Sequence, residues 1–474
     1  MNGPPAGPPT PRPARLFSWE ALSGTHAALF VVAASWGFGG NIAWMRLPLS
    51  LWGTLGALLV VAGVGRRWRA SPRDLRPLWW LAPWGGLVGL VLIGSLNPNT
   101  SVTPFFETDV FRPVRPAISW LPSSARPDLA RSELWLLSGL YLTGVHLALL
   151  VRRRRVLRRL FFVLAANAGL LAIFGTAQKL LGAPGLFFGV QPSPNPTFFG
   201  SFIYHNHWGA FALLMLTLTL GLIAHYRGRA TQGTARSPAP LLWVGALLLA
   251  ATIPLAGSRS STLLLLLLLM IVVGWLVTDL RAQSGWSGRS PRRSMLWLIF
   301  GVGGAVAVIL WLSGPVLQQR WAKTREQFAS WQEVGGLGGR EILYRDTWRM
   351  ARDRPWTGWG LESYETVFVR YNSATSPRDR LRVHFDQAHS DWLQALAEIG
   401  FIGTALLLLM VLVPLWSLRR HWRARDPVAA ALGVGCILII LYAAIEFPFA
   451  NPAVTLIFWI LLFGALRHAR LSDV

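Results

Sequence analysis

The chain has 474 residues, 53% of them hydrophobic and only 14% charged, with a mean hydropathy of +0.42. Soluble domains carry nearer ~25% charge, so a string of soluble domains is excluded and a membrane bundle takes its place. The formal net charge of +24 does not indicate a nucleic-acid partner, because it stands in short blocks between apolar runs. The single cysteine, Cys436, lies inside an apolar run, which excludes an intrachain disulfide or a cysteine metal site.

In chain order, residues 1–22 form a Pro-rich tail, expected to be disordered and cytoplasmic, without a cleavable-signal pattern. Residues 23–313 hold nine apolar spans: Thr25–Ile42, Pro48–Gly65, Pro77–Leu96, Glu133–Val151, Leu160–Leu181, His207–His225, Leu241–Ala256, Thr262–Leu280 and Met295–Leu312. A long charged loop follows, over residues 314–391. Residues 392–474 add Trp392–Trp416, Val428–Glu446 and the short Ala453–Leu466, then a basic C-terminus. Most of these runs approach the roughly 20 residues a helix needs to cross the hydrocarbon. Trp residues such as Trp79, Trp80, Trp84 and Trp311 stand at their ends, as in an aromatic belt. The expectation is an all-α polytopic membrane protein of about twelve transmembrane helices, with one large, mainly helical outer loop.

Orientation follows from the connectors. Of the 45 Lys and Arg, 26 fall in the termini and the short Arg-rich connectors 66–76, 152–159, 226–236, 281–293 and 417–425. The positive-inside rule puts that set, and both termini, in the cytoplasm. The long loop holds twelve basic and ten acidic residues. Its near balance suits the outer side, because long loops cross largely regardless of charge.

Four outer places break the apolar logic. The first is Gly257-Ser258-Arg259-Ser260-Ser261, a hairpin so short that Arg259 must sit at the membrane boundary. Its guanidinium either offers a donor fork to phosphate oxygens or reaches toward headgroups. The second is Gly338-Gly339-Arg340-Glu341, which opens a helix of about 14 residues stopped by Arg354-Pro355. A helix start beside glycines suits an anion at Arg340. Arg345 and Arg349 share a face one turn on from Glu341, where ordinary ion pairs are the simpler reading.

The third place is His389-Ser390-Asp391-Trp392-Leu393-Gln394, where the loop re-enters the membrane. Ser390 or Asp391 would cap the new helix. His389 can serve as a base near neutral pH. Gln394 and Glu398 lie on one face, and Glu398 falls inside the apolar span, which makes it a functional candidate or a structural carboxylate. The fourth is His205-Asn206-His207, whose two imidazoles at i,i+2 do not share a helix face and read as polar lining rather than a metal site. Gln178 and Lys179 also end a span on the outer side. Glu446, before Phe447-Pro448-Phe449, ranks behind these. Cations and a base beside hydrocarbon suit a substrate with a diphosphate, a lipid tail and a hydroxyl acceptor.

The order of these features resembles the O-antigen ligase and polymerase family of bacterial envelope glycosyltransferases. The resemblance is carried by Gly-Ser-Arg259-Ser at a span junction and by Gly339-Arg340-Glu341 with Trp348. Arg354-Pro355-Trp356-Thr357-Gly358-Trp359-Gly360 continues it, then His389-Ser390-Asp391-Trp392-Leu393-Gln394 and Glu398-Ile399-Gly400-Phe401-Ile402-Gly403. It covers the second half of the chain; the first half is similar only in style. One departure is Ser390, where the family often has Asn.

The resemblance implies a GT-C-like bundle in the bacterial inner membrane. It implies glycan transfer from an undecaprenyl-diphosphate carrier to a glycan, lipid or protein hydroxyl on the periplasmic face, with neither metal nor other cofactor. By resemblance Arg259 and Arg340 hold the diphosphate, and His389 activates the acceptor or assists the departing carrier. Arg345, Glu398, Gln394, His207, Gln178 and Lys179 are then expected around the substrate. A solute transporter or channel is the alternative, but spans nearly free of ionisable residues and the lack of an internal repeat speak against it.

Overall fold

The computed structural model describes residues 18–70, 79–105, 108–230, 237–287, 339–375, 384–422 and 426–471, together with Gly304 and Gly314. The expected ninth span Met295–Leu312 and the loop as far as Gly338 otherwise lie outside the described residues. The elements before them are α1 (Trp19–Trp36), α2 (Ala43–Ala70), α3 (Leu81–Leu96), strands β1 (Thr100–Phe105) and β2 (Thr108–Pro113), α4 (Pro127–Leu150), α5 (Arg154–Leu180), α6 (His205–Ala230), α7 (Ala239–Leu255) and α8 (Arg259–Ser287). After them come α9 (Gly339–Asp353), the short α10 (Tyr364–Phe368), α11 (Asp391–Trp422), α12 (Pro427–Tyr442) and α13 (Pro452–Arg470).

The protein is a helical membrane bundle. Among the described residues seven helices, α2, α4, α5, α6, α8, α11 and α13, are long and apolar enough to cross a membrane. α3, α7 and α12 are apolar but shorter, at 16 or 17 residues. Two differences from the sequence expectation are local. α1 begins at Trp19, inside the stretch assigned to the tail, because Ser18 accepts the Ala21 N–H and caps it. The segment after α3 is not all helical: Thr100–Pro113 forms an antiparallel hairpin with Thr100 opposite Pro113. Its Thr, Val and Phe residues favour extended backbone.

The short last span occupies the centre. Within its hydrophobic window α13 is 94% buried against 22% for α8, so among the described residues α13 is enclosed by helices and α8 is largely exposed. A helix enclosed on all sides needs no amphipathic stripe, which is why a short apolar run suffices. Around it α4 meets α2 where Gly53 and Gly139 touch backbone to backbone; a Cβ on either would stand 2.6 Å from the other's Cα. Small residues at such crossings let helices approach in lipid.

The loop is fastened to the bundle at a break in α11. Gly400 has φ 63° and ψ −171°, which interrupts the helix and frees backbone groups on both sides. Residues 355–360 satisfy them. Trp359 and Gly360 donate N–H bonds to the carbonyls of Ala397 and Glu398 at 3.1 and 2.7 Å. Phe401 and Ile402 in turn donate to Pro355 and Trp356 at 2.7 and 3.1 Å. A Cβ at Gly400 would meet the Trp356 carbonyl at 2.4 Å, and one at Gly358 (φ 68°) would meet the Glu398 carbonyl at 2.3 Å. The two glycines therefore fit one another. Beside them Ala125 donates to the Trp359 carbonyl at 2.8 Å, and the Arg354 guanidinium lies 4.3 Å over the Trp359 ring.

Gly400→Ala adds both left-handed strain and a backbone collision. It should destabilise the purified protein by roughly 2–4 kcal/mol, read as a lowered thermal midpoint in detergent. The neighbouring Gly403→Ala meets only side-chain atoms of Ile399 and should cost less.

Candidate functional site

The site is built around one carboxylate. Glu446 follows the end of α12, in the turn before Phe447-Pro448, and is 1% exposed. Three separate segments reach it. Arg340, in the first turn of α9, places Nη2 at 2.6 Å from Glu446 Oε1 and donates Nη1 to the Ile445 carbonyl at 3.2 Å. Ser260, at the start of α8, donates its hydroxyl to Oε1 at 3.5 Å. His389, just before α11, puts Nδ1 at 3.9 Å from Oε2. That separation is too long for a hydrogen bond. Both His389 Nδ1 and Glu446 Oε2 are buried without a hydrogen-bond partner. Buried polar atoms are normally satisfied, so this pair is the one place in the cluster where a polar group is called for on both sides.

Each contributor is pinned. His389 is non-glycine at φ 51°, a conformation that persists only when the surroundings fix it. Tyr344 donates its hydroxyl to the His389 carbonyl at 3.0 Å. The Ala388 N–H binds Gln394 Oε1 at 3.0 Å, and the Asp391 N–H binds the Glu446 carbonyl at 3.2 Å. The imidazole stands edge-on to Phe447, with ring centroids 4.8 Å apart. The hairpin bearing exposed Arg259 is held by Ser261, which donates to the Tyr442 hydroxyl at 2.9 Å, and by Ser258, which donates to Ser261 Oγ at 2.8 Å. A Cβ at Gly209 of α6 would stand 2.2 Å from Ser261 Oγ, so α6 closes against that hairpin.

Electrostatics favour an ionised Glu446. Burial pushes its carboxyl up, but the His389 ring and the Arg340 guanidinium outweigh burial and hold it below the ordinary carboxylate value. For Arg340 burial acts to lower and Glu446 to raise, and the net shift is upward. Burial raises the Tyr344 phenol, partly opposed by Arg340. The cluster therefore sets a guanidinium and an ionised carboxylate beside the His389 ring.

The other expected residues separate into neighbours and supports. His207 is a neighbour: Nε2 donates to the Phe447 carbonyl at 3.2 Å, while Nδ1 accepts from Asn41 at 3.1 Å. Gln394 acts through the turn it ties to His389. Glu398 is engaged by the loop rather than open to a ligand. Its oxygens accept the N–H groups of Glu362 and Tyr364 at 3.0 and 3.1 Å and the Gln394 amide at 3.2 Å. Arg345 turns to Asp346 and Ser373, at 3.6 and 3.3 Å. Gln178, buried at the end of α5 beside Lys179, donates to the Gly200 carbonyl at 3.0 Å. Ser390 does cap α11, accepting the Leu393 N–H at 3.3 Å, and Asp391 instead accepts the Phe449 N–H at 2.9 Å. On the loop surface exposed His384 bridges Glu365 and Asp386 at 3.1 and 2.8 Å, a group outside the Glu446 cluster.

Residues 244–408 match the family model described as O-antigen ligase. This segment, about a third of the chain, is what the chain shares with the O-antigen ligase family. No curated protein matches the chain. The O-antigen ligase segment runs from α7 into α11 and so contains Arg259, Arg340, His389, Gln394 and Glu398. Glu446 lies beyond it, as do His207 and Gln178. Glu446 ranked low in sequence because an acid at the end of an apolar run reads as interfacial polarity. The available signal was that it is an acid in an outer turn of only a few residues, opposite a loop rich in Arg.

Glu446→Gln keeps the shape and removes the charge. It should lower stability at pH 7 by about 1–3 kcal/mol, less than a fully enclosed pair because Arg340 is half exposed. A depressed carboxyl contributes stability that is full above its unfolded value and lost as pH falls through the folded one. The gap between wild type and Glu446→Gln in thermal midpoint should thus hold from pH 7 to about 5 and close below about pH 4.

Proposed function

We propose that the chain moves a glycan from an undecaprenyl-diphosphate carrier to an acceptor hydroxyl at the Glu446 cluster, as a ligase or a polymerase of the periplasmic face. The match of residues 244–408 to the O-antigen ligase model supports a membrane enzyme that transfers or polymerises glycans. The observation that carries the finer reading is the meeting of Arg340, His389 and the Arg259 hairpin at one buried carboxylate, with His389 Nδ1 and Glu446 Oε2 left unpaired.

The chemistry follows from those groups. The acceptor oxygen attacks the anomeric carbon as the bond from that carbon to the diphosphate oxygen breaks. The electron pair leaves on the diphosphate, and the acceptor proton passes to the imidazole. Arg340 uses two of its N–H groups on Glu446 and Ile445, and its remaining donors, with Arg259, face the departing diphosphate. Fixed cations at the site of growing charge are the largest expected contribution. Glu446 stabilises the imidazolium as the proton arrives, once the 3.9 Å gap closes on substrate; catalytic contacts are commonly long before the substrate is bound.

The test is transfer from a purified lipid-diphosphate glycan by the reconstituted full chain. His389→Ala and Arg340→Ala should each lower kcat by about 10²-fold or more, with thermal midpoints showing that the variants fold. Arg345→Ala and Gln178→Ala should stay within about tenfold of wild type. Near-normal transfer by folded His389→Ala and Arg340→Ala variants would remove this assignment.

A further inference from the structure

The bundle has a second polar feature at the end opposite Glu446. There a cavity of about 230 Å³ is lined by Ser18, Trp19 and Glu20 at the start of α1, by Gly63, Arg66 and Arg67 near the end of α2, and by Leu149, Leu150 and Arg152 where α4 gives way to α5. Three guanidinium groups face one carboxylate. That carboxylate is already matched, because Arg153 Nε stands 3.3 Å from Glu20 Oε2. The lining therefore carries a net positive charge.

The arginines are held in place. Arg67 donates to the Ala148 carbonyl at 3.4 Å. Arg66 lies 5.9 Å from the Trp19 ring. Arg467 of α13 donates to the Val151 carbonyl at 2.5 Å, which adds a further cation behind the cavity. The walls also include apolar Leu149, Leu150 and the bare backbone of Gly63.

Leu58, Val61 and Trp68 of α2 are each more than half exposed. At spacings of three and seven they form one apolar stripe on the face of α2 turned away from Gly63, Arg66 and Arg67, so the cavity lies behind a helix whose other face is apolar. In a membrane bundle such a stripe contacts acyl chains. A ligand in this cavity meets three guanidinium groups between α1, α2 and α4. Basic pockets between helices at a membrane boundary suit anionic headgroups.

We infer that this cavity binds the phosphoryl headgroup of an anionic phospholipid. The site is remote from Arg340 and His389, and it stands whether or not they transfer glycans.

Native mass spectrometry of the full chain in detergent, titrated with phosphatidylglycerol, phosphatidylcholine or inorganic phosphate, reads it directly. Wild type should retain one phosphatidylglycerol at about tenfold lower concentration than phosphatidylcholine. The Arg66→Ala/Arg152→Ala double variant should lose that preference, and Arg66→Lys/Arg152→Lys should keep part of it. Equal retention of the two lipids by wild type, or a full preference in the alanine double variant, overturns the inference. Inorganic phosphate that displaces phosphatidylglycerol at equal concentration overturns the lipid as its source.

Discussion

The backbone exchange across Gly400 sets the geometry on which the rest depends. A transmembrane helix cannot break without partners for the groups it frees, because lipid supplies none. Here Pro355, Trp356, Trp359 and Gly360 are those partners. The exchange fixes the loop to α11 at a point nine residues past Asp391. α9 runs into the loop side of this junction and α11 starts on the other. Arg340, in the first turn of α9, and His389, just before α11, therefore lie together over Glu446. The apolar Leu343, Met350, Tyr364 and Phe368, all buried, fill the space between.

Glu446 converts that proximity into a site. A buried carboxylate alone is costly, and one matched only by Arg340 would be a structural pair. This one has a second oxygen without a partner, facing an imidazole with a nitrogen without a partner. Its neighbours are supplied by α6, α8, α9, α11 and the turn after α12, so the cluster exists only in the assembled bundle. Phe447 completes it, with Tyr204 stacked on its ring at 5.3 Å and His207 and His389 at its edges.

Much of this was legible in sequence, for different reasons at different places. The helices of the bundle were, because long apolar runs report directly on membrane-crossing segments. α9 was, from the glycines before Arg340 and the Pro after Arg354; the expected end near Asp353 is where it stops. Arg259, Arg340 and His389 stood out because they are polar where an apolar or solvated residue would be ordinary. What sequence could not supply was partnership. Glu398 and Glu446 are both acids in or beside apolar spans, yet one is enclosed by N–H groups of the loop and the other faces a guanidinium and an imidazole. Contacts between residues 106 positions apart, as in Arg340 with Glu446, have no local signature. The β-hairpin after α3 was missed because short threonine- and proline-containing segments between spans read as irregular.

The central claim is that diphosphate binds at the Glu446 cluster. The most direct measurement is a cryo-electron microscopy structure of the full chain with a non-transferable undecaprenyl-diphosphate glycan. The account predicts the diphosphate within hydrogen-bond distance of Arg340 and Arg259, with the anomeric carbon on the side of His389. A diphosphate seated elsewhere in the bundle, with His389 and Glu446 still apart and Arg340 making no contact to phosphate, would contradict it.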